Sequence, residues 1–233
     1  ASGSLAVLNT TTTPPSATFL KDRAEYHYMA SISAFSFDPL GQFATCQESL
    51  NDYEGTMVPN YFMGPSLYDS VAARVPYVNS KGEPCAAGDT CFLIHIDMLH
   101  ESPLCMGIAH DAGAPSRTGD PTLGKEFRNV YWSFDGVNSQ LVRSDFESDH
   151  GPGSMDHHFA EVRRYRGVKL SRRAGVPSHL VVDGDARELF VADTGADRVL
   201  RVKVDSGRYV KSARESYPIY SSPDPLFNYT IWE

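Results

Sequence analysis

A series of short strands separated by tight turns in the last third of the chain constrains the fold more than any other feature. Val, Leu and Phe dominate three runs there, and Gly, Asp, Ala and Thr fill the gaps between them. The runs are 178–183, 189–193 and 198–204, and the turns are 184–187 and 194–197. Strand-forming runs that turn residues interrupt at this spacing predict a small antiparallel meander. Residues 217–220 are a candidate for its fourth strand.

The same template recurs twice earlier in the chain. Its first strands are 32–37, 104–109 and 178–183, and its second strands are 43–46, 130–135 and 189–193. Internal repetition of units with several short strands each is typical of radial β architecture. The sequence therefore predicts an all-β fold of about three four-stranded units. An irregular β-sandwich is the alternative.

Length and composition agree with a single domain. The chain has 233 residues, of which 41% are hydrophobic and 21% are charged. All-β folds often use about 200–250 residues as one domain, so we treat 1–233 as one β domain. The stretch 50–92 is rich in Asn, Asp, Gly, Pro and Tyr. It is predicted to be a long irregular insertion with a helical turn near 66–74.

Charge and hydropathy argue against two kinds of partner. The chain carries 21 basic and 29 acidic residues, a formal net charge of −8, whereas nucleic-acid binding needs a basic face. We therefore expect no nucleic-acid partner. The sequence lacks any stretch of about 18 uninterrupted apolar residues, so no membrane span is predicted either.

The third unit resembles an NHL repeat, which is one blade of an NHL-type β-propeller. The resemblance rests on residues 177–183 and 189–199, above all on Val-Ala-Asp-Thr-Gly at 191–195 followed by Arg198 and Val199. Residues 129–143 are similar but degenerate, and residues 33–46 are more distant. The resemblance implies four-stranded blades. It leaves out the 50–92 insertion and the N-terminal segment.

A propeller of this family typically has about six blades, and about three are recognisable here. An open half-ring would expose strand edges and an apolar inner face. Residues 230–233 have the pattern of a further strand. We therefore expect half of a six-bladed ring that a second copy or a second fragment completes. Remaining blades too divergent to recognise are the alternative.

The four cysteines fall into two groups. Cys85 and Cys91 enclose a short turn-like loop, which favours a disulfide between them, with a metal site as the alternative. Cys46 and Cys105 lie in apolar surroundings. Buried free thiols are the simplest interpretation of that second pair, with another disulfide as the alternative.

Two sequons and the cysteine loop bear on localisation. Asn9-Thr10-Thr11 and Asn228-Tyr229-Thr230 are candidate glycosylation sites. Together with a disulfide they favour an extracellular or otherwise extracytoplasmic protein. The first residues lack a basic and an apolar signal region, so we expect any signal peptide to have been removed.

Three of the eight histidines lie at corresponding places in the repeats. His27, His100 and His179 each lie in, or at the end of, a connection into a first strand. In the propeller that the NHL resemblance implies, such connections share one face around the channel. Neutral imidazole binds Zn²⁺ and Cu²⁺ well, so these three form a candidate metal site. Each histidine alone is more simply a hydrogen-bonded surface or core residue.

A second group of donors lies on the opposite face of the expected blades. His150, Asp156, His157 and His158 belong to a dense His/Asp/Gly segment, and His110 is near it. This segment could bind a divalent ion, contact a partner chain or form only a polar loop. The candidate cofactors are therefore Zn²⁺, Cu²⁺ or Ca²⁺, and a protein without a cofactor is the alternative.

The sequence favours a binding function over catalysis. It contains no G-x-S-x-G, H-E-x-x-H, P-loop or G-x-G-x-x-G motif, so no catalytic residue is assigned. The favoured hypothesis is a secreted NHL-type β-propeller that acts as a binding or assembly module. One alternative is a metal-dependent lyase or hydrolase that uses the three histidines. Propellers of the peptidylglycine amidating lyase type look similar there, although their tyrosine and arginine partners match no positions. The other alternative is a structural subunit of an extracellular assembly.

Overall fold

The computed structural model describes residues 3–49, 64–71, 74–86, 88–99, 102–114, 129–147, 160–214 and 228–233. Within these ranges the chain is all-β apart from one short helix, α1 (Glu25–Tyr28). The strands, in chain order, are β1 (Leu5–Asn9), β2 (Ser16–Asp22), β3 (Ile32–Phe37), β4 (Gln42–Gln47), β5 (Ser66–Asp69), β6 (Thr90–Leu93), β7 (Asp97–Met98), β8 (Ile108–His110), β9 (Val130–Asp135), β10 (Gln140–Asp145), β11 (Glu161–Tyr165), β12 (Leu180–Asp183), β13 (Glu188–Asp193), β14 (Arg198–Lys203), β15 (Tyr209–Arg214) and β16 (Asn228–Trp232).

These strands form four sheets. The N-terminal sheet has the order β1-β2-β6. The other three sheets are numbered along the chain, and the first of them has the order β3-β4-β5-β7 with every neighbouring pair antiparallel. The second sheet contains the meander β8-β9-β10-β11, which β16 and then β15 extend at the β11 edge. The third sheet is the three-stranded meander β12-β13-β14. The first and second strands of each repeated unit therefore share a sheet. The sheets are not built from consecutive strands alone, because β6 belongs to the N-terminal sheet and β15 and β16 join the second sheet.

The second sheet lies between the other two repeats. One of its faces packs on the first sheet through Ile108, Tyr131 and Val142. Its other face packs on the third sheet, where Trp132 and Leu141 join Leu189 in one apolar cluster. The N-terminal sheet covers part of the far face of the first sheet, through residues that include Leu20, Tyr28, Phe43, Tyr68 and Leu93. The order in the molecule is thus the order along the chain.

The first strands of the three units lie side by side. β3 contacts β8, and β8 contacts β12. The segments that lead into them are also hydrogen-bonded, since Ser33 Oγ donates to the Cys105 carbonyl at 2.8 Å and the Ser178 amide donates to the Met106 carbonyl at 2.6 Å. Gly107 permits this approach, because a Cβ there would lie 1.9 Å from the Ser178 carbonyl oxygen. The first strands of neighbouring sheets are therefore held side by side.

The residues that carry the NHL resemblance hold the turn between β13 and β14. Asp193 is fully buried and accepts hydrogen bonds from the Ser171 amide at 2.6 Å and from Arg198 Nε at 2.8 Å. Gly195 lies against the carbonyl of Ser171, where a Cβ would come within 2.6 Å of the oxygen. Arg198 also donates to the Lys169 carbonyl. The motif therefore anchors the preceding loop to its turn.

Two disulfides are present in the described chain. Cys85 is joined to Cys91, as the short loop predicted. Cys46 is joined to Cys105, so the alternative of a second disulfide is correct for this pair and the free-thiol interpretation is wrong. The second bridge connects β4 of the first sheet to the segment before β8. It therefore links two repeats covalently.

The structure differs from several expectations about individual strands. The helical turn predicted near 66–74 is wrong over Ser66–Asp69, which is the buried strand β5. The 50–92 stretch is not wholly irregular, since it supplies β5 and part of β6. Residues 217–220 lie outside the described ranges. The strand that follows the third sheet, β15, pairs with β16 in the second sheet. Among the described residues the sheets do not close into a ring.

Candidate functional site

The predicted three-histidine site falls only partly within the described chain. His179 is exposed immediately before β12, and its carbonyl accepts a hydrogen bond from the Ala192 amide. The backbone of His27 belongs to α1, but its side chain lies outside what is described, as does all of His100. The convergence of these three imidazoles therefore stays a prediction, which metal analysis of the purified protein with and without His179→Ala would test.

The second predicted donor group is also only partly covered. His110 ends β8, with its ring 5.2 Å from that of Tyr131 and its amide hydrogen-bonded to Ser36 Oγ. The other members, His150, Asp156, His157 and His158, lie outside the described ranges. Within those ranges, no three His, Cys, Asp or Glu side chains are grouped as a metal site would require.

The two candidate glycosylation sites differ in what can be said of them. Asn9 ends β1 on an exposed turn, where its Oδ1 accepts hydrogen bonds from the amide and the hydroxyl of Thr11. Asn228 begins β16, and its side chain lies outside what is described. Glycosylation at both positions stays a prediction.

The arrangement with the clearest binding chemistry is a cleft between the second and third sheets. We call it the arginine–tryptophan cleft. It is lined by Trp132, Arg143, Arg163, Tyr165, Arg187, Val204, Asp205, Gly207 and Trp232, and its volume is about 220 Å³. Liquid water occupies about 30 Å³ per molecule, so the space corresponds to roughly seven waters.

Strand register builds one wall of the cleft. Across β9, β10, β11 and β16 the aligned residues are Trp132, Arg143, Arg163 and Thr230. Two positions further along each strand, the aligned residues are Phe134, Leu141, Tyr165 and Trp232. Because side chains two residues apart share a face of a sheet, a row of arginines lies beside a row of aromatic and apolar residues.

The third sheet supplies the opposite wall through its turns. Arg187, in the turn between β12 and β13, donates from Nε to Asp205 Oδ2 at 2.8 Å and from Nη2 to Asp205 Oδ1 at 3.0 Å. Arg187 also pairs with Asp111, which is fully buried and accepts a 3.0 Å hydrogen bond from Trp132 Nε1. Asp111 thus ties the two walls together.

The other two arginines differ in how completely they are paired. Arg163 forms a bidentate pair with Glu161, with both N–O distances 3.0 Å, and its guanidinium lies 4.3 Å from the ring centroid of Trp232. Arg143 donates from Nη2 to Asp145 at 3.1 Å, and its side chain is 8% exposed. Arg143 Nη1 is buried and has no hydrogen-bond partner among the described residues, although it forms a longer ion pair with Glu161 Oε2 at 3.9 Å.

The local environment shifts the pKa values of two acidic groups at the cleft. The hydrogen bonds from Arg187 hold the pKa of Asp205 below its ordinary value, so this carboxylate is ionised at neutral pH. Burial raises the pKa of the Tyr165 phenol, which therefore stays protonated. The cleft accordingly presents guanidinium donors, carboxylate acceptors and aromatic rings in one small space.

Sequence reasoning did not find this cleft. Its residues lie at alternate positions of strands that are far apart in sequence, and their alignment depends on register. The sequence signal is limited to the placement of both tryptophans of the chain in strand-like segments.

Comparison of the chain with protein-family models, with curated proteins and with solved structures finds no match in any of the three. Among the described residues, the structure has no helix that is long and apolar enough to cross a membrane.

Proposed function

We propose that this chain is an extracytoplasmic binding and assembly module made of NHL-type propeller blades, and that a second copy completes its ring. The observation that carries the proposal is the outer face of the third sheet, which exposes two valines beside charged residues. The two disulfides are compatible with an oxidising compartment and support the location.

One face of the third sheet packs on the second sheet, and the other is open. Leu180, Leu189 and Val191 point into the shared core. On the other face, Val181 is 63% exposed and Val199 is 72% exposed. A groove of about 430 Å³ on this side is lined by Val176, Ala192 and Val199 together with Arg173, Asp197 and Arg198. Apolar residues bordered by polar and charged ones are the usual composition of a protein–protein interface.

The first sheet also has an open apolar end. Phe35 and Phe37 on β3 are each 50% exposed, and their rings lie 5.8 Å apart. This pair and the open third-sheet face lie at opposite ends of the row of sheets. A second copy could therefore place its first sheet on the third sheet of its partner, and the partner could do the same in return.

The number of units favours a second copy as the occupant. Radial β folds typically contain about four to eight blades, and three repeated sheets fall below that range. Two chains would supply twice as many sheets, and a two-fold arrangement would close the ring.

A charge placed on the open face tests this proposal. Val181→Asp should weaken self-association by about tenfold or more, because it buries an unpaired carboxylate at the interface. The matched control is Val7→Asp on β1, which is 52% exposed in the N-terminal sheet. Sedimentation velocity over a dilution series measures both variants. Equal association constants for the two variants would contradict the proposal.

A further inference from the structure

The geometry points to the arginine–tryptophan cleft as a binding site for a neutral polyhydroxy ligand about the size of one sugar ring. This site lies wholly within one chain. It is therefore independent of the proposed assembly, and either proposal can fail without the other.

Arg143 lines the cleft and carries a donor that makes no hydrogen bond within the described chain. Its Nη1 is buried without a hydrogen-bond partner among the described residues, and the ion pair with Glu161 is long, at 3.9 Å. A buried donor left unsatisfied is costly, so a ligand acceptor that reaches Nη1 would be stabilising. A hydroxyl group can accept from Nη1 and donate to Glu161 at the same time, which a carboxylate cannot do.

The balance of charges around the cleft favours a neutral ligand. Three guanidinium groups at the cleft are offset by the carboxylates of Asp111, Asp145, Glu161 and Asp205. A phosphate would bring about two further negative charges next to those carboxylates. A neutral ligand gains hydrogen bonds from both the donors and the acceptors without that repulsion.

The size and the aromatic lining of the cleft suit a single small ring. The volume of about 220 Å³ is smaller than the range typical of drug-sized ligands. Tyr165 lies between the two tryptophans, with its ring centroid 5.0 Å from that of Trp132 and 6.1 Å from that of Trp232. Trp132 and Tyr165 are buried, so the half-buried Trp232 is the ring that can pack against the C–H face of a compact ring, and the charged groups nearby address its hydroxyls.

Tryptophan fluorescence gives a specific readout, because the chain has two tryptophans and both line the cleft. The probes are D-glucose, D-galactose and myo-inositol, with acetate and inorganic phosphate titrated in parallel. We expect at least one of the three polyols to change the fluorescence saturably. Arg143→Gln should weaken that binding by about tenfold or more, the factor that a charged hydrogen-bond donor contributes.

Two further variants keep the test decisive. Arg23→Gln removes an exposed guanidinium that stacks on Phe92, away from the cleft, and should leave the affinity unchanged. Should Arg143→Gln fail to fold, Gly207→Ala takes its place. A Cβ at position 207 would lie 2.5 Å from Tyr165 Cε1 and 3.4 Å from Trp232 Cε3, so it narrows the cleft and should abolish binding.

Three results would overturn the inference. Saturation by acetate or phosphate but by no polyol would assign an anion site instead. No saturable change with any probe would leave water as the occupant. An equal loss of affinity in Arg23→Gln and Arg143→Gln would show that the fluorescence does not report binding at this cleft.

Discussion

At the scale of single residues, a buried carboxylate joins the second sheet to the third. Asp111 is fully buried just after β8 and accepts hydrogen bonds from Trp132 Nε1 and the Gly113 amide as well as from Arg187. A carboxylate with this many donors is well compensated. Removing its charge leaves a guanidinium that is only 24% exposed with one partner fewer.

Asp111→Asn should therefore destabilise the fold by about 3 kcal/mol, which is the lower end of the cost of breaking a buried ion pair. The lower end applies because Arg187 retains its ion pair with Asp205. Asp205→Asn is the control. The Asp205 side chain is 62% exposed, so its loss should cost less than about 1 kcal/mol. Urea denaturation of both variants measures the difference. Equal free energies of unfolding would contradict the role given to Asp111.

A second residue-scale prediction concerns alkaline pH. Burial, with a smaller contribution from the Asp69 charge, raises the pKa of Tyr77 to about 12. Its hydroxyl donates to the Ser70 carbonyl. The unfolded phenol has a pKa of about 10. The stabilisation from the protonated form is therefore complete below about pH 10 and is lost as the pH rises towards about 12.

Tyr77→Phe should flatten this loss of stability between about pH 10 and 12. It should also lower the free energy of unfolding at neutral pH by about 1 kcal/mol, the contribution of one hydrogen bond. The exposed Tyr209→Phe is the control. Urea denaturation at a series of pH values is the measurement. An unchanged alkaline profile in Tyr77→Phe would be the contrary result.

At the scale of elements, the flanking turns decided which strands could be predicted. β13 alternates between half-buried and buried residues, but residues 189–192 form a continuous apolar run, so the turns on either side marked the strand. β5 was missed because all four of its residues are buried, so no alternation marks it. Its short run next to turn-like residues favoured a helical turn instead.

Strand pairing was harder to predict than the strands themselves. The parallel pairing of β16 with β11 joins Thr230 to Arg163, and nothing local indicates it. The arginine–tryptophan cleft depends on this pairing and on the register of β9 with β10. A slip of one residue would turn the arginines to the other face. The cleft was therefore beyond sequence reasoning even where its strands were not.

The two disulfides should differ in their contribution to stability. Cys46 and Cys105 are 59 residues apart, and Cys85 and Cys91 are 6 residues apart. The loop-closure estimate gives about 4 kcal/mol for the longer loop and about 2 kcal/mol for the shorter one. Replacing each pair by alanines should lower the free energy of unfolding in that order. A smaller effect for the Cys46–Cys105 pair, measured by urea denaturation, would count against it as the main link between the first two sheets.

At the scale of the whole molecule, three repeated sheets stack in chain order with their first strands adjacent. Apolar clusters fill the two spaces between the sheets, while the outer face of the third sheet exposes Val181 and Val199. Two exposed valines bordered by charged residues give this outer face the composition of a protein–protein interface. We infer that a second copy of the chain packs against it.

The absolute mass in solution tests that claim most directly. Multi-angle light scattering of the unmodified chain over a dilution series should give twice the 25.7 kDa of one chain at the higher concentrations. The dimer should dissociate on dilution or when Val181 is replaced by aspartate. A stable monomer of 25.7 kDa at every concentration would contradict the account.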